Sequence, residues 1–110
     1  MEKISLDALA RQLIESAATA GGQHTAETVY GGQEKVLRQT VIGMKADSLL
    51  SEHENPGQAT VLVLHGRVRL LAGDQSWEGG RGDLLIIPDA RHSLEALDDS
   101  AVLLTVAKLP

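Results

Sequence analysis

The side chains with donor chemistry are few, and they gather in two stretches. His53 and Asn55 stand in Ser51-Glu52-His53-Glu54-Asn55, and His92 closes the segment Pro88-Asp89-Ala90-Arg91-His92. Two imidazoles that met in space could hold a divalent transition metal such as zinc, iron, nickel or copper, with the Asn55 amide oxygen as a weak third donor. The same groups could instead orient a small organic ligand through hydrogen bonds. Ser51 would share a face with His53 in a regular strand, but side chains at that spacing point in parallel and no oxyanion donor is evident, so a nucleophile–base pair is not expected. His65, just before Gly66, has the place of a polar residue at a hairpin end, and His24 has that of a surface residue. Arg91 adjoins His92 at a pocket mouth, where an exposed loop arginine is the plainer expectation than a carboxylate clamp.

Composition removes several function classes. The 110-residue chain has no Cys, which excludes disulfides, thiolate zinc sites and a cysteine nucleophile. Ten basic residues against fifteen acidic ones give a formal charge of −5, which repels a phosphate backbone, and Trp77 and Tyr30 are the only large aromatics. Nucleic acid is therefore not an expected partner. Neither is a membrane, because the longest apolar run falls far short of the about 20 residues that span a bilayer. The N-terminal residues lack the basic-then-apolar order of a signal peptide, so the expected location is the cytoplasm.

The elements that must position these groups follow from periodicity. Leu6, Leu9, Leu13, Ile14 and Ala17 recur at helical spacing, which predicts a helix over 5–20 with Ser5 as N-cap, Ile4 stapled onto Leu9 and Gly21-Gly22 as the stop. From Gln23 onward apolar segments alternate with turn residues, predicting strands near 25–30, 35–44, 48–53, 59–65, 67–72, 75–78, 83–87, 92–97 and 101–107. So many strands in one small domain imply a closed barrel or two-sheet jelly roll, because an open sheet would leave exposed edges. The expected division is a helix and connector over 1–22 and a β-barrel over 23–110. The runs 84–87 and 101–107 are almost wholly apolar and call for cover on both faces. A chain this short is expected to find that second cover in another subunit, as a homodimer.

Residues 53–66 and 82–92 together resemble the two sequence motifs of the cupin superfamily. The first family motif opens on a Gly, continues through a His-x-His pair and a Glu, and closes on a Gly. His53 and Gly66 fall at its first His and final Gly, and Asp47 stands where the opening Gly would be. Asp is a workable replacement there because it too visits the left-handed conformation. In the second motif Gly82, Pro88 and His92 match, with Ala90 at the second Gly and one residue fewer before the His. The resemblance covers about residues 25–107 and implies an all-β, cupin-like jelly-roll barrel with a short N-terminal α-helix.

In metal-bearing cupins both His and the Glu of the first motif, with the His of the second, converge on an ion inside the barrel. Here the second His is Asn55 and the Glu is Ala59, leaving His53 and His92 as the metal ligands. The expected pocket is His53, Asn55, Val61, Val63, His92 and Leu94, with the aliphatic members placed by strand parity. The leading expectation is binding or sensing of a small molecule in the barrel. The alternative is a metal-dependent oxygenase or isomerase that uses His53 and His92 to hold a weakly bound divalent metal.

Overall fold

The computed structural model describes residues 2–19, 21, 23–53 and 57–108, and for Glu52 and His53 it describes the backbone alone. Helix α1 (Leu6–Thr19) starts where Ser5 caps it: the Ala8 N–H donates to Ser5 Oγ at 3.2 Å. Of the predicted stripe Leu9, Leu13 and Ala17 are buried and Leu6 and Ile14 half-buried, while Ala10, which was not predicted, joins the buried face. Leu9 and Leu13 pack on Val41 and Leu103, with Leu6, Val29, Leu62 and Leu64 around them. The approach is close at Gly43, where a Cβ would overlap the Leu13 carbonyl. Thr25 Oγ1 donates to that carbonyl oxygen at 2.8 Å and pins the helix to the sheet.

Nine strands follow among the described residues: β1 (His24–Tyr30), β2 (Leu37–Met44), β3 (Leu49–His53), β4 (Gly57–His65), β5 (Arg67–Ala72), β6 (Gln75–Gly80), β7 (Leu84–Ile86), β8 (His92–Ala96) and β9 (Ser100–Lys108). They form two antiparallel sheets, β1-β2-β9-β4-β7 and β3-β8-β5-β6, faced into a jelly-roll sandwich. Residues alternate between its interior and the outer surface, and the interior is aliphatic: Ile42, Met44, Val61, Val63, Val68, Leu70, Leu94 and Val102 form one buried cluster with smaller neighbours. The absence of Phe is met by these branched side chains, which fill the narrow space between sheets.

Three motif positions prove to be turns that need left-handed backbone. Asp47, Gly66 and Gly82 have φ of 72°, 79° and 89°. At Gly66 the demand is also steric, since a Cβ would strike the Asp99 carbonyl and Ser100 Oγ. The fully buried Ser100 clasps this corner. Its hydroxyl accepts from the Arg67 N–H at 3.1 Å and donates toward Asp98 O at 2.7 Å.

The two apolar runs end differently from the expectation. β9 is central in its sheet, and its outer side at Leu103 lies under α1, so the chain's own helix supplies that cover. β7 is a three-residue strand at the sheet edge, where Leu84 and Ile86 remain 56% and 68% exposed and only Ile87 beyond it is buried. Among the described residues of one chain nothing covers Leu84 and Ile86 on the outer face of this run.

Candidate functional site

Between the sheets lies a small chamber of about 30 Å³, lined by Ile42, Leu50, Val61, Leu70, Ile87, His92, Leu94, Val102 and Leu104. Among the described residues His92 is its one polar wall, and it is itself only 3% exposed. The short loop before β8 holds the ring. Ala90 N–H donates to Pro88 O at 2.8 Å, and Ala90 O lies 3.0 Å from His92 Nδ1. A carbonyl oxygen can only accept, so Nδ1 is the donor in this contact. Ala90 stands at a motif glycine yet is not among the positive-φ residues, in keeping with a loop one residue shorter than the family pattern.

β3 brings the other histidine to the same place in the ladder. Leu50 pairs with Leu94 and His53 with His92, so β3 spends two residues, Ser51 and Glu52, where β8 spends one, Ser93. That is a β-bulge, and it re-phases the strand so that both pairs fall on equivalent positions. Ser51 lies within the bulge and is exposed, so simple alternation does not relate it to His53. Asn55 lies outside the described residues, as does the His53 side chain.

Of the other anticipated pocket residues, Val61 and Leu94 line the chamber with His92. Val63 shares the inward parity of Val61 and is buried, but it packs into the core farther along β4 and is not part of the chamber wall. His65 and His24 are exposed, His65 following a register shift after Val63. The linings from β2 and β9, Ile42, Val102 and Leu104, carry no chemical signal in the sequence. Inward parity opposite one another, Ile42 with Val102, is the only mark they bear.

No protein-family model matches the chain, and no curated protein matches it. Solved structures do. A cupin superfamily protein of Desulfitobacterium hafniense superposes with TM-score 0.79 at 16% identity over 98% of this chain and 92% of its own. The chain has the cupin fold. An RmlC-like cupin of Desulfovibrio desulfuricans matches at TM-score 0.68 and 26% identity, covering 77% of this chain and 82% of that one. A conserved Streptococcus pyogenes protein of unknown function matches at TM-score 0.73 and 24% identity, covering 83% and 79%.

The cupin fold raises the question of a metal, and the donors present do not fit one held by three or four protein ligands. Ala59, at the motif's Glu position, is buried on the inward face of β4 with no donor atom, next to Val61. Every other described wall of the chamber besides His92 is aliphatic. Among the described residues no three of His, Asp and Glu come together as a metal-binding group. Among the groups with a displaced pKa, Glu78 on the outer face of β6 is held below the ordinary carboxylate value. Its hydrogen bond from Arg67 is the main cause, with Arg69 adding to it. That ladder of charge is remote from the chamber and supports the sheet.

Proposed function

We propose that this cupin-fold chain is a binding protein for a small, weakly polar molecule held in the chamber between its sheets and oriented by His92 without a metal. The observation that carries this reading is a buried imidazole that, among the described residues, stands in an otherwise aliphatic wall. The ring gives the chamber its polar end, and aliphatic contacts hold the remainder of the ligand. By their motif positions His53 and Asn55 are proposed to join it in orienting the ligand. The chamber volume admits a ligand of a few heavy atoms, about the space of two waters, and a larger one requires Leu50 or Leu94 to yield. Residues 1–22 act as a supporting helix and connector for the barrel of residues 23–110, and the chain works on its ligand in the cytoplasm.

Two measurements test the reading. Native mass spectrometry of protein purified without an affinity tag reports what the chamber carries. Long-range nitrogen–proton spectra of His92, recorded against short-chain alcohols and acids, should show saturable shifts. An unliganded mass together with an unmoved His92 across that panel would overturn the proposal.

We also propose a homodimer through the part of the five-stranded sheet that α1 leaves bare. Tyr30, Gln39, Thr105, Thr60 and Ile86 are successive ladder partners across all five strands, and none is charged. Leu37 adds 39% exposed aliphatic surface, and Lys108 is turned aside by bonds to Gly32 O and Gln33 O. Sedimentation should give about twice 11.7 kDa for the native chain and a monomer for Leu37→Glu. A monomer at every concentration would remove the dimer.

A further inference from the structure

β6 and β7 are the last strands of their respective sheets, so on this flank neither sheet continues into the other. Trp77 pairs with Leu70, and Leu85 pairs with Val61. Directly opposed residues of an antiparallel pair share a face, so Trp77 and Leu85 both turn toward the space between the sheets. At Gly79 this seam is tight, since a Cβ there would lie 3.2–3.3 Å from the Leu85 side chain. Beside Trp77 it opens into a groove of about 310 Å³ lined by Leu70, Trp77, Leu84, Leu85 and Ile86.

The groove is about ten times the chamber in volume and reaches the range, roughly 300–1,000 Å³, in which small-molecule sites fall. Its lining holds no charged side chain in a chain that is 23% charged. A carboxylate or phosphate would therefore enter without a cation, and an ammonium without an anion, at the cost of desolvation. The indole of Trp77 is 42% exposed, a broad apolar surface with a single N–H donor. Leu70 stands in the wall of both spaces, so the groove abuts the chamber across one side chain.

We propose that this seam is a second binding site, for a neutral apolar molecule of one or two rings laid against the Trp77 indole. It stands independently of the chamber reading, because its lining and its size are its own. Offset stacking on the indole fixes the ring plane, and Leu84, Leu85 and Ile86 close over its other edges.

The test uses 6-propionyl-2-(dimethylamino)naphthalene, a neutral two-ring probe, with Trp77 as donor. Trp77 is the only tryptophan, so excitation at the red edge of the indole band excites this side chain alone. Saturable binding of one probe per chain should quench Trp77 and raise probe emission. Trp77→Ala, at a 42% exposed position and read by direct excitation of the probe, should weaken binding by about tenfold or more. Val61→Ile, which adds a methyl group to the chamber wall, should change binding by less than about twofold. Loss of binding in Val61→Ile with retention in Trp77→Ala would put the probe in the chamber and overturn the seam site. Absence of saturable binding to the native chain would overturn it too. So would a native dimer that excludes the probe and a Leu37→Glu monomer that binds it, which would make the seam a protein interface.

Discussion

His53 lies across the β3–β8 ladder from His92 because β3 carries one residue more than β8 between that pair and the pair Leu50–Leu94. Without the bulge, Leu50 and His53 would point to opposite faces, being an odd number of residues apart. The bulge lets one short strand give an aliphatic wall to the chamber and still bring its histidine position level with His92.

Removal of Ser51 tests this directly. The deletion forces either Leu50 or His53 out of its present phase, and the cheaper outcome keeps the aliphatic wall and loses the histidine register. Urea unfolding should show a loss of about 1.5–3 kcal/mol if Leu50 is expelled and a smaller loss if His53 is. Ser51→Gly, which keeps the residue count, should cost less than either. Equal stability of the deletion and the native chain would mean that the bulge does not set the register.

Asp47 offers a gain. It is an exposed residue with φ of 72°, and its backbone N–H donates to Ala96 O at 2.8 Å, a bond that any residue can make. A left-handed L-residue costs about 1–2 kcal/mol, less for Asp than for most. Asp47→Gly should therefore raise stability by up to about 1 kcal/mol, and Asp47→Val should lower it, both read from urea midpoints. A destabilising Asp47→Gly would show that the carboxylate has a structural partner in solution.

Much of the architecture was legible because it rests on local signals. Ser5, the apolar stripe of Leu9, Leu13 and Ala17, and the turn residues between segments placed α1 and all nine strands to within two residues of their ends. The left-handed turn at Asp47 was legible from its place in the motif. What escaped was non-local. That α1 would cover Leu103 depends on Gly43, which follows Leu13 by 30 residues and precedes Leu103 by 60, admitting the helix, and no periodicity within either segment reveals this. The bulge hid the parity of Leu50, and the chamber walls Ile42, Val102 and Leu104 look like any other core positions until β2 and β9 are paired.

The outer charge ladder predicts an acid-side effect. Arg67 Nε lies 3.2 Å and Arg69 3.4 Å from the Glu78 carboxylate, and they hold its pKa below the usual 4.5. A depressed folded-state pKa contributes stability above the unfolded value, and that contribution is lost as pH falls through the folded value. The stability difference between the native chain and Glu78→Gln should thus be present at neutral pH and vanish on acidification below the ordinary glutamate range. Both groups are solvent-exposed, so the difference should be small and should shrink with added salt. A difference that persisted unchanged into strong acid would contradict the assignment.

The sharpest functional prediction concerns metal. With Ala59 in place of a donor and aliphatic side chains around His92, zinc or nickel supplied in excess should bind weakly and be removed by dialysis against a mild chelator. Each absent protein ligand is replaced only by water, and the chamber has room for about two waters. The complementary variant is Ala59→Glu, which returns a carboxylate to the inward face of β4. Alone it should lower the melting temperature, because an ionised or protonated carboxyl takes the place of a buried methyl. If His53 and His92 converge with position 59, zinc should then raise the melting temperature of Ala59→Glu by the mass-action relation for a ligand that binds only the folded state. The native chain should show little response, and Ala59→Gln should respond less than Ala59→Glu because its amide is a neutral donor. Zinc that stayed with the native chain at one per molecule through chelation would overturn the metal-free reading and favour the oxygenase or isomerase alternative. An unresponsive Ala59→Glu would show that the two histidine positions, level in the ladder, do not direct their rings to a common point with residue 59.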